Sequence, residues 1–184
     1  MNPGNYLAFL GRISREKGLD RAIEIAIRSA IPLKIAAKVD KADQEYFEEH
    51  IEKLLDHPLI EYIGEISEAE KNDFLGNAMA LIFPINWIEP FGLVMIESLA
   101  CATPVVAYRM GSVPEVITHG VCGFIVDNQE DAVHAVQNIG LIDRQECRRV
   151  FEERFTARRM AQDYLEVYSK VLESEKDIYD LKIL

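Results

Sequence analysis

Short apolar runs alternate with helix-periodic segments along the 184-residue chain, and that alternation leaves few folds open to it. Tyr6 to Leu10, Pro32 to Ala37, Leu59 to Ile63, Met79 to Phe83, Pro104 to Ala107 and Gly123 to Val126 each read as a short buried strand. Helical patterns fill the intervals. Leu19, Ala22, Ile23, Ala26 and Ile27 recur at helical spacing across Leu19 to Ala30, and Gln44 to Leu55 reads as a charged amphipathic helix. Ser67, with Glu70 three residues on, makes a capping box that starts another. Leu93 to Cys101 and Val113 to Thr118 are further helices, and three more close the chain at Glu130 to Asn138, Arg144 to Glu153 and Ala157 to Glu173. Strands alternating with helices predict an α/β fold, a mostly parallel sheet covered on both faces. No internal repeat, linker or low-complexity tract interrupts the pattern.

Ligands of such a sheet bind where loops leave the carboxyl ends of the strands. Those loops are Gly11–Lys17, Ile63–Ser67, Pro84–Gly92 and Tyr108–Pro114, and they carry the chain's distinctive residues. The run from Ile88 to Ala100 says most. Pro90 fixes its own φ and steers Glu89 away from helical geometry, so a helix can begin only afterwards. Gly92 lets a bulky anion approach the backbone, and the open N–H groups of Gly92, Leu93 and Val94 point toward it. Glu97 falls four residues after Leu93, on the same helical face. An anion site flanked by two carboxylates suits a ligand with phosphate at one end and sugar hydroxyls on both sides: a nucleotide sugar.

Composition excludes other classes. Hydrophobic residues at 49% and charged residues at 28% fit a soluble globular protein large enough for a substantial core. A net charge of -11 argues against nucleic acid or an anionic membrane as a partner over a broad surface. Met1-Asn2-Pro3-Gly4 does not open a signal segment, and no apolar run is long enough to span a bilayer. Cys101, Cys122 and Cys147 are odd in number and unpatterned, as expected of reduced cytosolic thiols. His50, His57, His119 and His134 have no metal-like spacing, so no metal ligands are assigned.

The segment Glu89 to Glu97 resembles the Glu-x7-Glu signature of the retaining glycosyltransferases of family 4, the group 1 enzymes of two-domain GT-B fold. Leu10-Gly11-Arg12-Ile13-Ser14-Arg15-Glu16-Lys17-Gly18 is similar to the family's Gly-Arg-x-x-x-Glu-Lys-Gly loop. Ser98 to Ala107 resembles the passage that follows the signature, and Gly111 to Ile117 and Gly120 to Asp127 resemble its closing motifs. Together they cover most of residues 5 to 173 in the family's order. Ala102 and Ser112 depart from it, standing where glycine is usual and tightening the local turns.

This resemblance implies a Rossmann-like domain, the C-terminal, donor-binding half of a GT-B fold. It implies one nucleotide-sugar-binding domain over 1–184, with a core at about 5–156 and a C-terminal helix and tail at 157–184. The N-terminal acceptor-binding half is absent and would be supplied in cis or as a partner subunit. The implied reaction moves a sugar from a nucleotide-diphosphate donor to a hydroxyl of a glycan or lipid-linked sugar, retaining anomeric configuration. No cofactor is implied. UDP-sugars are the family's commonest donors, with GDP- and ADP-sugars as alternatives. The class places the protein in the cytoplasm or peripherally at the inner membrane face, and the isolated chain is expected to transfer poorly.

Arg12 and Lys17 are the cations that would neutralise the departing diphosphate. Either could instead be a solvated loop charge. Glu89 would accept hydrogen bonds from the donor sugar, or would simply favour the helix dipole. The resemblance gives Glu97 to the ribose hydroxyls and the backbone of Ile66 to the base, with Gly11, Phe91, Gly92, Leu93 and Val94 lining the donor site. Trp87 could stack on a sugar or base, or anchor its loop to the core. Thr103-Pro104 reads as a turn into the fifth strand. Two other functions remain open. A non-catalytic nucleotide-sugar-binding module would keep the pocket and lack a partner that restores transfer. A glycoside hydrolase also uses paired carboxylates, but needs no diphosphate-binding cations. An NAD-type oxidoreductase would show Gly-x-Gly-x-x-Gly after the first strand, and Gly11-Arg12-Ile13-Ser14 does not supply it.

Overall fold

Six strands form one sheet in the order β3-β2-β1-β4-β5-β6 in the computed structural model, which describes residues 4–181. They are β1 (Leu7–Arg12), β2 (Leu33–Lys38), β3 (Ile60–Gly64), β4 (Ala80–Phe83), β5 (Val105–Tyr108) and β6 (Gly123–Val126). Every pairing is parallel. Each strand lies within two residues of the run expected from its apolar pattern. The opening Met1-Asn2-Pro3 and the last residues of the expected C-terminal tail, 182–184, lie outside the described residues.

The order places the first strand beside the fourth, with Leu7 opposite Ala80 and Ala8 opposite Leu81. From there the chain winds outward in both directions. Right-handed crossovers therefore put the helices of the two halves on opposite faces. On one face α1 (Leu19–Ser29) packs against α6 (Gln129–Gln137). On the other, α4 (Leu93–Ala100) packs against α3 (Glu68–Gly76) and α7 (Arg144–Arg154). Leu7, Leu33, Leu81 and Val105 have no solvent exposure, which is why these strands read as continuous apolar runs. The short α5 (Val113–Val116) follows β5, and α8 (Ala157–Leu181) ends the described chain. Among the described residues no helix is long and apolar enough to cross a membrane.

Two local expectations change. Gln44 to Leu55 is not a uniform amphipathic helix. It passes from a 3-10 turn at Lys41–Asp43 through one α-turn, α2 (Gln44–Tyr46), and a π-type stretch, Phe47–Ile51, to a 3-10 end at Glu52–Asp56. Ile51 is its one fully buried residue, and Tyr46, Phe47 and Leu55 pack against the core only in part, which leaves its backbone weakly held to regular α geometry. Thr103 does more than turn the chain. Its buried hydroxyl donates to the Leu75 carbonyl at 2.7 Å and accepts from Arg144 at 2.8 Å, while Ser98 Oγ donates to its carbonyl at 2.9 Å. Arg144 also donates to the carbonyls of Gly76 and Ala78, both at 2.7 Å. This network ties α7 to the ends of α3 and α4, where α4 gives way to β5. Ser112 sits at φ -73, so its position needs no glycine, but Ala102 is held at φ 58.

Candidate functional site

The sheet order explains where the distinctive loops meet. At the β1–β4 junction the strand order reverses, so the connections after β1 and β4 lead to opposite sides and leave a crevice beyond the carboxyl ends of these two parallel strands. The loop after β1 forms one wall and the loop after β4 the other. They are joined by a hydrogen bond from the Asn86 N–H to the Glu16 carbonyl at 2.8 Å. Between them lies a cavity of about 160 Å³ lined chiefly by Gly11, Lys17, Glu89, Gly92, Leu93 and Val94.

Six of the residues expected at a donor site are thus brought together. Gly92 takes φ 75 and opens α4, so the first amides of that helix face the cavity mouth with no side-chain cap over them. Lys17 donates to Glu89 Oε2 at 2.5 Å, across 72 positions of sequence. Glu89 is only 8% exposed, and a buried carboxylate requires such a partner. Trp87 Nε1 donates to the same oxygen at 2.9 Å. The Lys17 ammonium lies over the Trp87 ring, 4.9 Å from its centre, and 6.0 Å from that of Phe83. Trp87 therefore does not anchor its loop by entering the core. It bonds to the site's carboxylate.

The loop after β5 supports Glu89 from behind. Ser112 N–H donates to the Glu89 carbonyl at 2.9 Å, and Ser112 Oγ to the Phe91 carbonyl at 2.9 Å. Gly111, at φ 53, is so close that an added Cβ would lie 2.3 Å from that same Glu89 oxygen. The closing motif of the sequence is thus a mould for the first glutamate of the signature.

The remaining expected residues are placed around this cavity rather than in it. Arg12 lies beyond Gly11 and lines a second cavity of about 180 Å³ with Ala36, Ala37, Lys38, Glu65 and Ile66. Its guanidinium donates to Glu16 at 2.6 Å and lies 3.6 Å from both Asp40 and Asp43. Leu10 and Gly11 line both cavities, which adjoin at the end of β1. The ring of Phe91 turns away to meet Phe155 edge-on at 6.4 Å. Glu97 lies outside both linings, its Oε1 accepting from Lys71 at 3.1 Å. Lys71 also pairs with Glu68 at 2.7 Å, and Glu68 and Glu97 hold its ammonium pKa above the usual lysine value against the opposing effect of burial.

Sequence reasoning did not single out Lys71. Its only local signal is the i,i+3 spacing from Glu68, which marks an ordinary helical pair. Among the described residues no group of three or more His, Cys, Asp or Glu side chains is arranged to hold a metal ion.

Known proteins resemble the chain over nearly its whole length. It is 27% identical to the alpha-maltose-1-phosphate synthase of Mycolicibacterium smegmatis over 189 residues, 90% of this chain and 48% of that protein. It is 33% identical to a GDP-mannose-dependent alpha-(1-6)-phosphatidylinositol dimannoside mannosyltransferase of Mycobacterium tuberculosis over 168 residues, 86% of this chain and 42% of that one. The chain therefore spans about half the length of the curated relatives it matches. Among solved structures, AviGT4, a glycosyltransferase of avilamycin A biosynthesis, superposes with a TM-score of 0.80 at 25% identity, covering 94% of this chain and 52% of that one. The Anabaena protein Alr3699/HepE, solved with UDP and glucose, shares the fold at a TM-score of 0.79 and 19% identity, with 91% of this chain and 48% of that one covered. Residues 2–158 match the family model of the group 1 glycosyl transferases, and the chain belongs to that family.

Proposed function

We propose that this domain binds the nucleotide-sugar donor of a retaining glycosyltransferase, and that transfer requires an acceptor-binding half supplied in cis or by a partner subunit. The observation that carries this reading is the Lys17–Glu89 pair at the uncapped N-terminus of α4. It sets a cation, helix amides and a carboxylate around one cavity. The Leu93 and Val94 amides and Lys17 receive the diphosphate. The free oxygen of Glu89 accepts hydroxyls of the sugar, Glu97 those of the ribose, and the Ile66 cavity receives the base. Arg12 leaves its carboxylate partners to reach the phosphates. The bond from the anomeric carbon to the diphosphate breaks as the acceptor oxygen bonds to that carbon on the same face. The acceptor's proton passes to the departing phosphate oxygen. In this reading Lys17 and the amides, joined by Arg12, face the charge that develops on the leaving group, which is where electrostatic stabilisation lowers a barrier most.

The complexes of Alr3699/HepE with UDP support a uridine donor, and the mannosyltransferase relative supports guanosine. The acceptor is a glycan or lipid-linked sugar, and the setting is cytoplasmic or at the inner membrane face. Calorimetric titration of the chain with UDP, GDP and ADP tests the reading, with Lys17→Met and Arg12→Ala as controls. One diphosphate should bind saturably, and Lys17→Met should weaken it about tenfold or more, the worth of one charge-assisted contact. No binding to any of the three, or binding indifferent to both substitutions, would overturn it.

A further inference from the structure

The Glu89 carboxylate has two oxygens, and the protein uses only one. Lys17 Nζ at 2.5 Å and Trp87 Nε1 at 2.9 Å both donate to Oε2. No donor among the described residues reaches Oε1, although the residue is 8% exposed and lines the cavity. A carboxylate accepts about four hydrogen bonds, so this one retains capacity on a single, defined side. Lys17 alone could not define that side. An ammonium on a flexible four-carbon stem is a point charge, able to approach either oxygen or bridge both. The indole is different. It is rigid, has one donor, and belongs to the same loop two residues before Glu89, so its N–H reaches one oxygen in one direction. Its face also carries the lysine, the ammonium standing 4.9 Å from the ring centre.

From this geometry we infer that Trp87 is a positioning residue: its N–H and ring lock Lys17 onto Oε2 and thereby commit Oε1 of Glu89 to the donor sugar. The inference deepens the donor-binding reading and rests on it. Trp87 does not touch the reacting atoms. It supplies the specificity-bearing carboxylate in a single orientation before the ligand arrives, which removes an ordering cost from binding.

Trp87 is the only tryptophan in the chain, so one indole N–H signal in a nitrogen-15 spectrum reports this contact without a ligand. The signal should shift in Glu89→Gln and again in Lys17→Met, and should exchange slowly with solvent although the residue is 39% exposed. An indole signal unmoved by Glu89→Gln would refute the hydrogen bond. The second arm compares the diphosphate that binds with its glucose and mannose esters, in the parent chain and in Trp87→Phe. Phenylalanine keeps an aromatic face for the lysine and lacks the N–H. Its Kd for the bare diphosphate should stay within about twofold of the parent, while the gain contributed by the sugar falls about tenfold. Glu89→Gln should lose the same gain, and the double variant no more than either single one. Equal loss for diphosphate and sugar ester would show a merely structural role and overturn the inference. If the parent binds no diphosphate, the donor reading falls and the assignment of Oε1 with it, whatever the indole signal shows.

Discussion

Gly111→Ala should damage the site and the fold together, by an amount the geometry sets. The added Cβ would lie 2.3 Å from the Glu89 oxygen and 2.4 Å from the Glu89 nitrogen. Both are backbone atoms and cannot rotate aside, so one of two loops must shift by about 1 Å to restore ordinary contact. Holding alanine at φ 53 costs about 1–2 kcal/mol, and the overpacking adds about 1–3 kcal/mol, so the expected loss is about 3 kcal/mol. Gly120→Ala separates the two contributions. Gly120 also has positive φ, 78, but its Cβ would meet nothing within 4 Å, so only the backbone cost of about 1–2 kcal/mol applies. Urea denaturation of the two variants should show Gly111→Ala less stable by about 1–2 kcal/mol more than Gly120→Ala. For a chain of 184 residues, the total loss lowers Tm by about 6–12 °C. Diphosphate binding, measured below the transition, should fall more than tenfold for Gly111→Ala and be unchanged for Gly120→Ala. Equal stability of the two variants, or a Gly111→Ala chain that binds normally, would refute the claim that this glycine moulds Glu89.

Other substitutions probe features farther from the cavity. Ala102→Gly should stabilise the chain by about 0.5 kcal/mol, because relief of the left-handed backbone at φ 58 exceeds the added entropy of unfolded glycine; a lower urea midpoint would contradict this. Lys71→Met should weaken diphosphate binding about fivefold, since Glu97 loses its orienting partner and a negative charge near the ligand loses its neutraliser. Burial, with the neighbouring Cys122, pushes the Cys147 thiol up to about 12 from 9.0. The unfolded chain then ionises this group first. The contribution to stability is complete below about pH 9 and is lost as pH rises toward 12, so Cys147→Ala should show a shallower alkaline loss of stability by denaturant titration.

The parts of the fold visible in the sequence are those written locally. Six apolar strands, the Ser67–Glu70 cap and the glycine that opens α4 each declare themselves within a few residues. Glu89 and Lys17 were recognisable as loop residues at strand ends, because every crevice of a parallel sheet lies on that rim. What sequence did not disclose is whatever depends on strand order. Nothing near Lys71 indicates that α3 will bring it to Glu97, and nothing near Gly111 indicates that its missing side chain leaves room for Glu89. Arg12 is a related case. Its loop was legible, yet two of its carboxylate partners, Asp40 and Asp43, come from beyond the next strand. The irregular helical stretch after β2 departed from its pattern because one buried residue, Ile51, and the partly buried Tyr46, Phe47 and Leu55 hold it too weakly to impose regular α geometry.

The insertion of β4 between β1 and β5 has a consequence for how the domain folds. Lys17 and Glu89 meet across 72 positions, and the support behind Glu89 comes from Gly111 and Ser112, later still. No contiguous stretch of chain can build the cavity. It exists only after the most non-local pairings of the sheet have closed, which are the slow steps of folding. A ligand that bridges the two walls therefore acts on the folding equilibrium as a clasp on the last seam. At a hundredfold excess over Kd it adds about 2.7 kcal/mol to the stability of a chain whose cavity walls meet only after synthesis has passed β5.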